Sequence, residues 1–259
     1  MTLRLTGLQC RRAILSPVFA VAVTVFGLAM VVNSAEVVKG AYPSVVSAFD
    51  LSVTGMADFC FVILPVLPFA LSYGDERVER SLKFNYIRAG VWDYFLAKYL
   101  AVLVSGFLVV VLGYCLFFGI MRIRFPLNTV GSLGASAASF LADAGRSGIY
   151  LLIMTLNYGL SGALFAGLAF TFSVFIRVRF VTVLLPYVVF DLLNHLNTVI
   201  IGVLGINYSR FDPTSWMLYT VEANSPVGML GKKALYISVV LLASFCIAYA
   251  RAERRELND

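Results

Sequence analysis

The sequence predicts an all-α membrane protein with six transmembrane helices and with both the N and C termini on the cytoplasmic side. Hydrophobic residues make up 60% of the 259 residues, and charged residues make up only 13%, about half the fraction of a soluble domain. Long stretches lack Asp, Glu, Lys and Arg, as expected for helices that face lipid. The basic residues lie in short clusters between these stretches. We therefore predict a single transmembrane domain over residues 1–259 and no nucleic-acid partner, despite a net charge of +6.

Six apolar runs are long enough to cross a bilayer, whose hydrocarbon core takes about 20 helical residues. We predict transmembrane helices at about 13–32, 51–73, 95–121, 147–176, 180–205 and 234–250. The second run contains Pro65 and Pro68, which would kink a helix. The fourth run carries Gly159, Ala163 and Gly167 at four-residue spacing, a pattern that allows a neighbouring helix to approach closely.

The start of the chain leaves two alternatives to a simple first crossing. Basic residues precede the apolar run, so a signal peptide cleaved after Ala35 is one alternative, although the basic stretch is long for such a peptide. The other is an interfacial helix over residues 2–15. In that helix Arg4, Arg11 and Arg12 would fall within about a third of the helical wheel, on a side shared with leucines.

The distribution of basic residues predicts the orientation. With a cytoplasmic start, the inner segments hold 13 of the 20 basic residues and the outer loops hold seven, as cytoplasmic loops of membrane proteins favour Lys and Arg. Arg122, Lys232 and Lys233 adjoin predicted outer helix ends, where we expect their charges to reach the interface. The inner group is Arg4, Arg11, Arg12, Arg77, Arg80, Lys83, Arg88, Lys98, Arg177, Arg179, Arg251, Arg254 and Arg255.

Residues 74–98, between the second and third runs, are rich in charge. Two acidic residues there each have a basic residue four positions on, the spacing that pairs charges on a helix. These pairs are Glu76 with Arg80 and Glu79 with Lys83. We predict an amphipathic helix on the cytoplasmic surface, and a solvated loop that only fixes topology is the alternative. The candidate contact residues are Asp75, Glu76, Arg77, Glu79, Arg80, Leu82, Lys83, Tyr86 and Arg88.

This stretch resembles the first cytoplasmic loop of ABC-2 type permeases, the transmembrane subunits of ABC exporters. The family's motif is matched by Glu76, Arg80-Ser81-Leu82, Arg88-Ala89-Gly90 and Tyr94-Phe95-Leu96-Ala97-Lys98. Arg80 stands where the family often has Gly, and Ala89-Gly90 replaces its Pro-Ser. The six-helix layout, the cytoplasmic ends and the basic segment before the first helix are also similar to the family.

The resemblance implies a transport subunit of the bacterial cytoplasmic membrane that is not itself an enzyme. Two copies of a separate ATPase would bind through residues 74–98, called the coupling helix, and a second permease, identical or homologous, would complete the exporter. ATP and Mg would be bound by the partner, because the chain's Walker-like stretch has Pro226 for the first glycine and Lys233 for the Ser or Thr that holds Mg. The sequence predicts no catalytic, cofactor-binding or metal-binding residues.

Four polar residues in the fifth run form a second candidate site. Asp191, Asn194, His195 and Thr198 share one helix face, and a carboxylate in mid-membrane costs about 2.5 to 3.5 kcal/mol on the insertion scale. We interpret the face as a translocation pathway or a subunit contact. The alternative is that Asp191 and His195 satisfy each other inside the bundle. In the resembled family the fifth helix borders the cavity between two permeases, which favours the first interpretation.

Two other classes of protein fit the same composition. An ion-coupled carrier or channel would use Asp191 as its ion site. A membrane-embedded enzyme would need clustered catalytic groups, and the single histidine with no HExxH motif disfavours it.

Overall fold

A computed structural model describes residues 2–34, 44–52, 57–78, 84, 86, 89–127, 138–176, 178–204, 213–218, 223 and 225–256. Over these ranges the chain is helical and has no strand. The helices are α1 Thr2–Ile14, α2 Pro17–Asn33, α3 Val45–Ser52, α4 Ala57–Ile63, α5 Ser72–Val78, α6 Val91–Arg124, α7 Ser139–Asp143, α8 Ser147–Phe175, α9 Arg179–Leu204, α10 Pro213–Met217 and α11 Pro226–Glu256.

Several of these helices are compatible with a multi-pass membrane protein. In the described ranges, α6, α8, α9 and α11 are each long and apolar enough to cross a bilayer. Helices α1 and α2 pass the same test together, although they bend by 59° between Ile14 and Pro17. The bend follows from the local sequence, since Ser16 accepts a hydrogen bond from the Phe19 backbone N–H (3.2 Å) and Pro17 starts the new helix.

The second apolar run is not one helix. Helix α4 ends at Ile63, a series of turns follows, and α5 begins only at Ser72. The prediction of a single helix over 51–73 is therefore wrong in the described residues. The prolines are the physical reason, because Pro65 and Pro68 have no N–H to donate and their rings clash with the preceding turn.

This broken segment nevertheless follows α6 from end to end. The Val45 backbone N–H donates to the Pro126 carbonyl (3.0 Å) just beyond the end of α6. At the opposite end, Glu76 of α5 reaches Lys98 near the start of α6. The turns between α4 and α5 are buried at Val66. Residues 44–78, described apart from 53–56, therefore pass from one end of the bundle to the other.

The closest helix contact joins α6 and α8. A Cβ added at Gly106 would lie 2.7 Å from the Gly162 carbonyl oxygen and 2.5 Å from the Ala166 Cβ, so only glycine fits there. The small residues predicted to allow close packing lie beside this contact. Gly159 faces α6, whereas Gly167 faces Leu241 of α11 as well as α6. Gly159 and Gly167 thus pack closely against side chains, whereas the close approach of the two backbones is at Gly162, which the prediction did not include.

Lys233 lies inside a helix and not at its end. Helix α11 begins at Pro226, before the predicted start at 234, so Lys233 is within the helix and fully buried. Its Nζ donates to the Leu218 carbonyl (3.3 Å) and lies 5.8 Å from the centroid of the Tyr158 ring. The prediction that Lys233 reaches the interface is wrong, whereas the neighbouring Lys232 is exposed.

The C-terminal ends of α1 and α11 lie at the same end of the bundle. Trp92 at the start of α6 packs edge-on against Tyr249 near the end of α11, with ring centroids 4.9 Å apart. Arg12 of α1 approaches Glu76 of α5 at the same end. The ends of α1 and α11, α5 and the start of α6 therefore lie together at this end.

Candidate functional site

Glu76 is the centre of a buried ion cluster. Its carboxylate is 2.5 Å from Lys98 Nζ and accepts a hydrogen bond from the Tyr94 hydroxyl. Glu76 is 6% exposed and Lys98 is fully buried. Tyr94 and Lys98 are one turn apart on α6, so both present their polar ends to the same carboxylate. The contact therefore joins α5 to the first two turns of α6.

Two further arginines extend this cluster to other helices. Arg12 at the end of α1 lies 3.6 Å from Glu76, and its side chain is 69% exposed. Asp75, next to Glu76, is 2.7 Å from Arg179, the first residue of α9. We call Arg12, Asp75, Glu76, Tyr94, Lys98 and Arg179 the α5 cluster. Through it, a helix of seven residues is connected to α1, α6 and α9.

The buried charges of the α5 cluster are compensated within the chain. A charged ammonium loses several kcal/mol of solvation on burial, and the loss is offset only by a well-placed counter-charge and hydrogen bonds. Lys98 has Glu76 as its counter-ion, and its Nζ also lies 5.9 Å from the Phe69 ring centroid and 5.5 Å from that of Tyr94. Removing either partner would leave a charge buried, so the pair fixes the position of α5 against α6.

Aromatic rings pack beside the α5 cluster, between it and the helices α6 and α8. Tyr73 packs against Phe95 of α6 and Phe170 of α8, with centroids 5.8 and 5.7 Å apart. The Tyr86 hydroxyl donates to the Tyr73 hydroxyl (3.2 Å), and the Tyr86 ring packs edge-on against Tyr94. The chain after α5 thus folds back onto the cluster at Tyr86.

The predicted coupling residues divide into two groups. Asp75, Glu76 and Tyr86 lie in the α5 cluster or directly beside it, and Arg77 lies in α5. The others lie outside the described residues, so the predicted pairing of Glu76 with Arg80 and the surface helix beyond Val78 cannot be compared with the structure. These others are Glu79, Arg80, Leu82, Lys83 and Arg88. The prediction that Glu76 lies on the charged face of a surface helix is wrong, because its side chain is buried and contacts Lys98.

Sequence reasoning missed Lys98 and Tyr94 as site residues. It used Lys98 only to assign orientation and both residues as part of a motif. A usable signal was present, since Lys98 lies one turn after a tyrosine and directly before a long stretch of α6 without charged residues. A buried cation of this kind needs an acidic partner, and Glu76 lies in the preceding charged stretch.

The polar face of α9 lies on the outside of the single chain. The structure brings Asp191 and His195 together, with Oδ2 and Nε2 3.7 Å apart, but their side chains are 48% and 75% exposed. Asn194 and Thr198 are also exposed, and the Thr198 hydroxyl donates to the Asn194 carbonyl (3.0 Å). The alternative of a pair enclosed within the bundle is therefore wrong.

Comparisons of the chain with protein-family models, with curated proteins and with solved structures found no match. The resemblance to ABC-2 type permeases thus stays a prediction from the sequence. Within the part of the chain that the structure describes, no three His, Cys, Asp or Glu side chains come together in a group able to hold a metal ion.

Proposed function

We propose that the chain is the transmembrane subunit of an ATP-driven ABC exporter, and that residues 74–98 receive the movement of a separate ATPase. The α5 cluster is the observation that carries this proposal. Asp75 links α5 to the start of α9, and Glu76 links it to α6 and α1. A displacement of α5 would therefore act on three helices together, as a switch between two arrangements of a bundle requires.

The surface for the ATPase lies on the side of this segment that faces away from the cluster. Phe84 is 68% exposed, whereas Tyr86, two residues later, is buried against Tyr73 and Tyr94. An exposed aromatic residue beside a charged segment is typical of the anchor of a protein contact. Glu76 has a different role in this proposal, since it is a positioning residue that holds α5 to the bundle.

The complete exporter would contain two such chains and two ATPases, which bind ATP and Mg. In this arrangement residues 44–78 provide a sixth crossing as a broken helix, and both chain ends face the cytoplasm of a bacterial cell. The exposure of Asp191 and His195 favours a contact with the second permease. Exposing the Asp191 carboxylate to lipid instead would cost about 2.5 to 3.5 kcal/mol. A two-fold symmetric pair would bring the α9 faces of both copies together.

Co-purification tests the proposal. The chain would be co-expressed with each candidate ATPase that carries Walker motifs from the same genome, as wild type, as Phe84→Ser and as Ile123→Ser. Ile123 is a matched control, since it is 88% exposed and lies at the opposite end of α6. We expect Phe84→Ser to lower recovery of the ATPase at least fivefold and Ile123→Ser to leave it unchanged. Equal recovery with all three chains would remove the assignment of this segment as the ATPase contact.

A further inference from the structure

Helix α1 presents a face that the rest of the chain leaves uncovered. At 3.6 residues per turn, Arg4, Leu8 and Arg11 fall within about 60° of the helical wheel together with Leu15, which directly follows α1 and continues its hydrogen bonding through a bond from its N–H to the Arg11 carbonyl (3.0 Å). All four are exposed, Leu8 by 64% and Leu15 by 69%. The opposite face, which includes Ala13, is buried. The outward face therefore alternates arginine and leucine along the helix.

The charge of α1 has one sign. The helix contains no acidic residue, and its three arginines make it strongly basic. Arg12 turns towards Glu76, whereas Arg4 and Arg11 lie on the outward face. Two guanidinium groups without an acidic neighbour on their own helix attract an anionic surface.

The position of α1 matches the depth of lipid headgroups. The helix ends where the apolar α2 begins, and the two are bent by 59°. If α2 enters the hydrocarbon core, α1 leaves its axis at the boundary where phosphates and glycerol groups lie. Leucines between the arginines fit this boundary, since they can enter the acyl region while the guanidinium groups stay with the phosphates.

We propose that this face of α1 binds the headgroups of anionic phospholipids at the membrane surface. Arg4 and Arg11 would each form paired hydrogen bonds with phosphate oxygens, a geometry that the planar guanidinium favours. Leu8 and Leu15 would anchor the helix in the bilayer. The leucines are the reason that a membrane is a better occupant than a soluble phosphate, which would contact only the arginines.

The test uses the full chain in nanodiscs and a single tryptophan as reporter. Leu8→Trp would be placed in a chain carrying Trp92→Phe and Trp216→Phe, which replace the two natural tryptophans. The nanodiscs would mix phosphatidylglycerol with phosphatidylcholine, with bromine on one or the other lipid. We expect the quenching to show that phosphatidylglycerol is about fivefold enriched next to the reporter relative to its share of the bilayer. A fivefold enrichment corresponds to about 1 kcal/mol, the attraction of one arginine to an anionic surface.

Two paired variants separate the proposed face from general attraction. Arg4→Gln with Arg11→Gln should abolish the enrichment, whereas Arg124→Gln with Arg251→Gln removes the same charge from exposed sites elsewhere and should leave it unchanged. Equal quenching by both brominated lipids in the unmodified arginine background would overturn the anionic preference. Absence of quenching by either lipid would show that α1 does not contact the membrane. Neither measurement needs an ATPase, so the outcome is separate from that of the proposed function.

Discussion

Two pairs of an acidic and a basic residue, both in apolar parts of the chain, differ in their burial. Glu76 and Lys98 are 2.5 Å apart and buried between α5 and α6. Asp191 and His195 are 3.7 Å apart and largely exposed on α9. The first pair is compensated by its own chain, whereas the second leaves polar atoms at the surface of the single chain. A charged residue in an apolar run therefore indicates a contact with another polar group. Whether that contact is buried within the chain depends on how the neighbouring helices pack around it.

The helices that carry the two pairs differ in the same way. Of the most apolar stretches, 50% of α6 and 72% of α8 is buried, against 17% of α9. Helices α8 and α9 are joined by only three residues, 176–178, so the change from centre to periphery occurs at one short connection. Helices α6 and α8 thus form the centre of the single chain, whereas α9 lies at its periphery, where we propose that a second permease binds.

The largest expected effect is the loss of the buried cation. Lys98→Met leaves the buried Glu76 with only the more distant and exposed Arg12 as a counter-charge, and we expect the free energy of unfolding to fall by about 3 to 5 kcal/mol. Unfolding in mixed detergent micelles, followed by circular dichroism, measures the change. If Glu76 and Lys98 stabilise each other, adding Glu76→Gln to Lys98→Met should restore more than half of the lost free energy of unfolding. A double variant as unstable as the single one would refute the pairing.

A smaller effect is expected where α6 packs on α8, which supports the buried pair. Gly106→Ala brings a methyl group within 2.7 Å of the Gly162 carbonyl, so the helices must separate. We expect a loss of about 1 to 3 kcal/mol in the same unfolding assay. Gly119→Ala on the same helix is the control, since a Cβ there meets nothing within 4 Å. Equal stability of the two variants would show that the contact is looser than described.

The exposed pair should matter for assembly and little for the single chain. For Asp191→Asn we expect the free energy of unfolding to change by less than about 0.5 kcal/mol. The proposed dimer should weaken by about 1 kcal/mol, a rise of about fivefold in its dissociation constant, because contacts between polar side chains on membrane helices are of that size. Single-molecule photobleaching counts the chains in liposomes at several dilutions. A variant that dimerises as wild type does would place the contact elsewhere.

The smallest effect concerns the exposed edge of the α5 cluster. Arg179 and Asp75 form an ion pair whose side chains are 68% and 35% exposed, so solvent screens much of their attraction. Arg179→Gln should lower the free energy of unfolding by only about 0.2 to 1 kcal/mol. Arg251→Gln, another exposed arginine, serves as the control. A loss as large as that of Lys98→Met would mean that the edge of the cluster is held as firmly as its centre.

The sequence was sufficient for the parts of the fold that depend on local composition. The helices α6, α8, α9 and α11 each overlap a predicted apolar run, since length and hydropathy are properties of a segment alone. The small residues of α8 likewise indicated its packing. Six crossings and the orientation stay predictions.

Pairings between segments could not be obtained in this way. Lys233 is buried because α11 begins earlier than its apolar run and therefore includes this lysine. Lys98 lies inside its predicted run, and its burial depends on the packing of α5 against α6. The partner of Glu76 depends on how α5 packs against α6, a contact between segments that the spacing along α5 does not encode. Pro65 and Pro68 were visible in the sequence and predicted only a kink. Together they end the helix, so that α4 and α5 are separate.

We propose that residues 74–98 contact an ATPase while Glu76 holds them to the bundle. The most direct test of this claim is a photo-crosslinking amino acid placed at position 84 or, as control, at position 123 in otherwise wild-type protein in cells, with adducts identified by mass spectrometry. We expect illumination to join residue 84 to a protein with Walker motifs and to leave residue 123 without that adduct. Folded, membrane-inserted protein that forms no such adduct at position 84 would contradict the account.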